Sequence, residues 1–287
     1  MHYDPVVRRV VAVILDGLRP DAIQRFTLDT IHRLMAGGSW TLRGTTVAPS
    51  VTTAAVTSLM TGVSPSAHGL TGDQLFIPRA KEHLTPLPRH LAAHGIPSSG
   101  FMGQVPAIFR GVASRVGKRL GLDSLRLTGN CAAEVLASAR STLESQRAGL
   151  ILLHWADADR AGHDNGWMSP EYADGCRRLD AALAALVDMA DDSETLFVAL
   201  ADHGGGGRVA NDHESDHALD RTIPILFYGA GVVHRPLGPA RLLDVPPTIL
   251  SALGVGVPST SLVRTSAPLS VTIAIESLSM PVTSWCS

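Results

Sequence analysis

The sequence predicts an α/β fold with a mostly parallel central sheet, and two observations carry the prediction. Four short, continuous apolar runs, Val10 to Leu15, Leu150 to His154, Leu196 to Ala201 and Ile223 to Tyr228, are bounded by Gly, Asp or Pro. Runs of that kind are strands buried on both faces, as in parallel sheets. Longer amphipathic stretches separate them, which is the rhythm of crossover helices. A third observation concerns chemistry: Asp16, Asp159, His163, Asp202, His203 and His213 lie close to the ends of these runs. Acids and imidazoles gathered at the carboxyl ends of strands can hold hydrolytic metal ions.

From the N-terminus, Val10 to Leu15 runs straight into Asp16-Gly17. An acid there stands where a parallel strand emerges at the ligand-binding edge; capping the helix that begins near Pro20 is the other use for it. Pro20 to Ala36 reads as one crossover helix, with proline in its first turn and Gly37-Gly38 at its end. From Ala48 to Gly62, hydroxyl residues open a helical stretch. A hydroxyl at a helix N-terminus faces backbone N–H groups that favour an incoming phosphate, so Thr52 or Thr53 is a candidate nucleophile, an ordinary N-cap being the alternative.

The segment 75–147 carries several prolines and glycines, and basic residues at Arg110, Arg115, Lys118, Arg119 and Arg126. It suits either a small cap inserted into the sheet domain or a continuation of the fold, with a helix over Leu84 to His94 and a strand over Ser99 to Met102. After the strand ending at His154, Asp159 and His163 lie four apart across Gly162, and a tight loop would bring both to one ion. Asp157 is the competing carboxylate, or orients His163. Ser169 to Ala190 places Leu179, Leu183, Leu186 and Val187 on one helical face. Asp202-His203 closes the third strand; neighbours in extended chain point to opposite faces, so sharing an ion requires the turn that Gly204 to Gly207 permits. Between Asn211 and His217, His213 and His217 compete for one ligand position. After Ser259 the chain turns Ser- and Thr-rich, with Val271 to Ile275 the one stretch resembling a strand.

Composition narrows the partners. The 287 residues, 45% apolar and 17% charged, suffice for one domain with a sizeable core. Net charge is −2 and the only lysines are Lys81 and Lys118, so no basic run points to nucleic acid or an anionic membrane. Cys131, Cys176 and Cys286 form no CxxC pair and imply neither a disulfide framework nor a thiolate zinc site. No stretch reaches the roughly 20 apolar residues of a membrane helix, and the first apolar run is short for a signal peptide. The expectation is a cytoplasmic protein acting on a small molecule.

In order along the chain, LDG at 15–17, PSVT at 49–52, TSLMTG at 57–62, GVSPSAHGL at 62–70, DADRAGH at 157–163, SPEY at 169–172, ADHGG at 201–205, RTIPILFYGAG at 221–231 and DVPPTILSALG at 244–254 resemble the alkaline phosphatase superfamily. The resemblance is nearest to its nucleotide pyrophosphatase/phosphodiesterase branch and spans Val10 to Gly254. It implies an α/β/α sandwich forming one catalytic domain over 1–287, and hydrolysis of a phosphate ester, a phosphodiester or nucleotide pyrophosphate, at two Zn²⁺ ions. Asp16, Asp202 and His203 match the ligands of the metal that also binds the nucleophile; Asp159, His163 and His213 match those of the second. Thr52, three residues after Pro49, matches the nucleophile, and His213 fits better than His217. The implied mechanism has metals about 4 Å apart, in-line attack by Thr52 and a phosphothreonine intermediate opened by water.

Two departures stand out. Ala55 occupies the place of a phosphate-binding Asn of the branch, and the ending after Gly254 does not match. Absence of CxPxR or SxPxR disfavours a sulfatase; phosphomonoesterase, phosphonate hydrolase, phosphomutase and an inactive metal-binding homologue are the alternatives.

Overall fold

The computed structural model describes residues 7–72, 84–104, 107–190 and 193–256. The chain begins with β1 (Arg9–Leu15), α1 (Pro20–Arg25), α2 (Asp29–Ala36), β2 (Ser39–Thr45), α3 (Thr52–Thr61) and α4 (Pro65–His68). It continues through α5 (Leu87–Ala93), β3 (Ser98–Met102), α6 (Ala107–Leu120), β4 (Ser124–Leu127), α7 (Ala132–Ser145), β5 (Gly149–Trp155), α8 (Asp157–Asn165) and α9 (Pro170–Ala190). The last elements are β6 (Thr195–Leu200), α10 (Ala218–Arg221), β7 (Thr222–Gly229), β8 (Arg235–Pro236), β9 (Ala240–Arg241), a 3₁₀ turn at Leu242–Asp244 and α11 (Val245–Ala252).

One sheet runs β4-β3-β5-β1-β6-β7-β2-β8, with β9 also paired to β2. β1 is its centre, buried at all seven positions between β5 and β6. Helices α2, α7, α8 and α9 pack among themselves, as do α3, α4, α5, α6 and α11, giving helices on both faces of a mostly parallel sheet. Leu179, Leu183, Leu186 and Val187 of α9 are buried, as their spacing predicts.

Two sequence expectations change. Ile223 to Tyr228 is a strand, but β7 runs antiparallel to both β6 and β2, because the chain leaving β6 loops at the carboxyl edge and re-enters from that same edge. Pro20 to Ala36 is two helices: Phe26 is extended (φ −102°, ψ 153°), and the Asp180 carboxylate of α9 accepts from Thr30 N at 3.0 Å and Ile31 N at 2.8 Å. Those bonds satisfy N–H groups that only a new helix start leaves open. In the segment 75–147, for which the sequence left a cap and a continuation of the fold open, the described residues contribute β3 and β4 to the main sheet, parallel to β5. Among the described residues no helix is long and apolar enough to cross a membrane. The stretch 259–287, with Val271 to Ile275 and Cys286, lies outside the described residues; Cys131 and Cys176 are free thiols.

Candidate metal centre

Three neighbouring strands deliver donors to one edge. His154, one residue before the end of β5, lies level with Ile14 of β1; Asp16 follows β1, and Asp202 and His203 follow β6. Asp16 N donates to Trp155 O at 3.0 Å, and Asp159 N donates to Asp16 O at 3.1 Å, fixing the start of α8 against the end of β1. Gly17 makes this contact possible: its φ is +70°, and a Cβ there would lie 2.8 Å from Asp159 Cα.

Asp159 and His163 sit on a helix, α8, not in the tight loop expected from the sequence. Four residues apart, they share one helical face, which serves the same end. Asp157 points elsewhere: its carboxylate accepts from Ala132 N at 2.7 Å and Arg178 Nε at 3.1 Å, tying α8 to α7 and α9. The chain does turn after His203. Gly205 O accepts from Arg19 Nη1 at 3.0 Å, and Gly206 N donates to Asp212 O at 2.8 Å.

The structure separates the paired candidates. His213 is buried and its ring faces His163, whereas His217 is an exposed N-cap of α10, accepting from Leu219 N at 3.2 Å. Thr52 Oγ1 lies 3.0 Å from His203 Nε2, while Thr53 Oγ1 is exposed and donates to Gly72 O at 3.0 Å. Ala55 is fully buried, one turn along α3.

The three imidazoles are oriented alike. His203 Nδ1 is 2.9 Å from Gly204 O, His213 Nδ1 2.7 Å from Ser50 O, and His163 Nδ1 3.1 Å from Asn211 O. A carbonyl can only accept, so each Nδ1 carries a proton and each Nε2 turns toward the cluster. There His203 Nε2 is 3.1 Å from Asp16 Oδ1 and 3.7 Å from Asp202 Oδ2. His163 Nε2 and His213 Nε2 stand 3.5 and 3.9 Å from Asp159 Oδ1 and 3.1 Å from each other. The two sets meet at His203 and Asp159, 4.0 Å apart.

These donors fit divalent cations. Asp159 Oδ1 and Asp202 Oδ2 are buried with no hydrogen-bond partner. Leaving buried carboxylate oxygens uncompensated costs several kcal/mol each, and two Nε2 lone pairs 3.1 Å apart repel unless something positive lies between them. Asp159, His163 and His213 have donor atoms within 4.8 Å of one another, as do Asp16, Asp159 and His203, and Asp16, His154 and Asp202.

Ionisation in the bare cluster reflects the same crowding. Burial, then the charge of Asp16, pushes Asp159 up to about 8 and Asp202 up to about 6. Burial opposes the charge on Asp16, but hydrogen bonds from His154 and His203 hold its carboxyl well below the usual range. Burial also opposes the charge on His203, yet Asp202 and Asp16 raise it to about 10. Burial and the His203 charge pull His213 down to about 4.

Sequence reasoning passed over His154, whose Nε2 is 3.2 Å from Asp16 Oδ2. The available signal was a histidine as the last residue of the run Leu150 to His154, masked by Trp155 and Ala156, which prolong the apolar stretch. Trp167 was missed too. Its Nε1 donates to Gly17 O at 3.0 Å, and its ring lies edge-on to those of His163 and His213 at 5.2 and 5.8 Å. A Cβ on Gly205 would come within 2.1 Å of this indole, so the glycine loop is in part a slot for it. Tyr172 OH donates to the same Gly17 carbonyl at 2.9 Å.

Known families similar to this chain are metal-dependent and phosphate-ester families by their descriptions. The family described as type I phosphodiesterase/nucleotide pyrophosphatase matches residues 10–90, and the metalloenzyme superfamily matches residues 124–256. A 2,3-bisphosphoglycerate-independent phosphoglycerate mutase of Staphylococcus haemolyticus is 32% identical over 128 residues, 44% of this chain and 25% of that protein. The chain thus spans about a quarter of the length of such curated relatives. Murine ectonucleotide pyrophosphatase/phosphodiesterase 5, solved with AMP as an inactive threonine-to-alanine variant, superposes with TM-score 0.69 at 14% identity, covering 88% of this chain and 97% of that one. A putative sulfatase of Bacteroides thetaiotaomicron gives 0.68 at 12% identity, covering 93% and 74%. At these identities the solved structures speak for the fold.

Proposed function

Starting from the matches to the type I phosphodiesterase/nucleotide pyrophosphatase family over residues 10–90 and to the metalloenzyme superfamily over residues 124–256, we propose that the chain is a metal-dependent hydrolase of phosphate esters of the alkaline phosphatase superfamily, a phosphodiesterase with Thr52 as nucleophile. The observation that carries the reading is Thr52 Oγ1 at 3.0 Å from His203 Nε2, at the edge of a cluster of partnerless buried carboxylate oxygens. Asp16, Asp202 and His203, with Thr52, would hold one cation; Asp159, His163 and His213 the other. The mixed carboxylate and imidazole donors suit Zn²⁺. Bound there, two such ions supply Lewis-acid charge that lowers the pKa of a hydroxyl and stabilises phosphoryl oxygens.

The chain's own residues do the rest. Thr52 begins α3, so its Oγ1 stands beside first-turn N–H groups that have no intrahelical partner and favour phosphoryl oxygens. Attack by Oγ1 on phosphorus expels the leaving alkoxide and leaves Thr52 as a phosphodiester or phosphomonoester; water then cleaves that bond and restores the hydroxyl. The carbonyls of Gly204, Ser50 and Asn211 keep the three imidazoles in the tautomer that offers Nε2. Buried Ala55 presents no amide to the phosphate, leaving that work to the α3 N-terminus.

A second reading, phosphomonoester or phosphomutase chemistry, draws support from the phosphoglycerate mutases among the similar proteins. Turnover of bis-nitrophenyl phosphate, nitrophenyl phosphate and a nitrophenyl phosphonate by zinc-loaded protein separates the readings. Preference for the diester, abolished by Thr52→Ala, supports the first. Metal binding without turnover of any ester would mark an inactive metal-binding protein.

A further inference from the structure

Thr45, the last residue of β2, pairs with Thr222 on one side and with Arg241 on the other. That register sets Arg221, the residue before Thr222, and Arg241 on opposite flanks of one strand end. The edge is the one that carries Asp16, Asp202 and His203. Beside them opens a cavity of about 350 Å³, whose wall includes Thr45, Val47, Ser64 and Leu243. Thr46 also lines it, and its hydroxyl donates to Asp202 O. Further along the same loop, Ser50 O holds His213, and the next turn presents Thr52. The segment 46–52 therefore runs from the cavity, which 46–48 line, to the metal-ligand cluster, which Ser50 and Thr52 meet.

The two arginines differ in their partners. Arg241 Nη2 is paired with Asp244 Oδ1 at 2.8 Å. Asp216, an acid near the start of α10, is committed to Arg208, 2.6 Å from its Nη2. Arg221 makes no side-chain hydrogen bond or ion pair among the described residues, and its Nε is buried without a partner. Arg221 is half-buried and lines the cavity together with Val47 and Leu243, so an anion there would meet a guanidinium that cannot shed its charge and whose Nε is already withdrawn from water.

We propose that the cavity flanked by Arg221 and Arg241 is a subsite for a second anionic group, phosphate or carboxylate, which the substrate carries beyond its scissile phosphoryl group. The inference rests on the phosphoryl-transfer reading of the metal centre. It narrows the substrate class to phosphate esters with a distal anion, joined by a short apolar stretch that lies against Val47 and Leu243.

The test uses nitrophenyl phosphodiesters of a butyl chain ending in methyl, carboxylate or phosphate, with zinc-loaded wild type, Arg221→Ala and Arg221→Lys. In wild type, at least one anionic tail raises kcat/KM about tenfold or more over methyl, and the stronger of the two identifies the anion. Arg221→Ala removes that preference while methyl-ester turnover stays within about twofold, and Arg221→Lys restores part of it. Equal losses on all three esters, or a preference that survives in Arg221→Ala, would overturn the subsite. A second measurement, free of turnover, follows the melting temperature of metal-free protein with inorganic phosphate: wild type rises and Arg221→Ala does not. If wild type cleaves no ester yet shows that Arg221-dependent rise, the catalytic reading fails and the subsite stands. No Arg221-dependent rise and no tail preference together would end the proposal.

Discussion

Filling the centre with metal should release about two protons per chain at pH 7. The perturbation is addition of Zn²⁺ to protein stripped with a chelator. In the bare cluster His203, raised to about 10, and Asp159, raised to about 8, both hold most of their proton at that pH. Asp202, at about 6, and His213, at about 4, hold little of theirs. Every one of these protons occupies an atom that the cation needs. The release should therefore fall to about one proton at pH 9, where Asp159 is already ionised, and rise toward three at pH 5, where Asp202 is protonated. Calorimetric titration in buffers of different ionisation enthalpy counts the protons directly. Metal binding with no proton release at pH 7, or release growing with pH, would refute the assignment of these groups as ligands.

Four further outcomes follow from the geometry. Metal-free protein should lose thermal stability as pH rises from about 6.5 to 10. His203 has a raised pKa, so its pairing with Asp16 and Asp202 stabilises below the unfolded value and fades through the folded one, while Asp159, raised from 3.8 to about 8, adds a loss of the same sign up to about pH 8; melting curves against pH read the slope, and added zinc should flatten it. Thr52→Ala should retain bound zinc by elemental analysis yet lose about a thousandfold or more in kcat, whereas Thr53→Ala should stay within severalfold. His213→Ala should lose one metal equivalent, and His217→Ala, which removes only an exposed cap, should keep both. Trp167→Ala should cost about 3–5 kcal/mol in urea unfolding and weaken the second metal, because the indole walls both His163 and His213.

Much of the fold was legible because β1, β5 and β6 are apolar at nearly every position, which only a strand covered on both faces requires. The direction of β7 was not legible: a buried strand reads the same whichever way it runs, and only the return of the chain from the 201–221 loop decides it. The break after Arg25 was equally hidden, since the group that starts α2 is Asp180, some 150 residues away in sequence and seen only after packing. At the site, Asp16, Asp202 and His203 were visible because they end strands. Asp159 and His163 were visible by spacing, although four-residue spacing suits a loop and a helix alike. His154 hid within an apolar run, and Trp167 was indistinguishable from a core residue until the space left by Gly162, Gly205 and Gly206 showed what it wedges between.

The central claim, a metal cluster serving Thr52 as nucleophile, is tested most directly by acid-quenching zinc-loaded protein during turnover of a nitrophenyl phosphodiester and mapping the covalent adduct by peptide mass spectrometry. The account predicts a phosphoryl adduct on Thr52 that disappears with chelator and in Thr52→Ala. Turnover with the adduct on another residue, or undiminished turnover by Thr52→Ala, would contradict it.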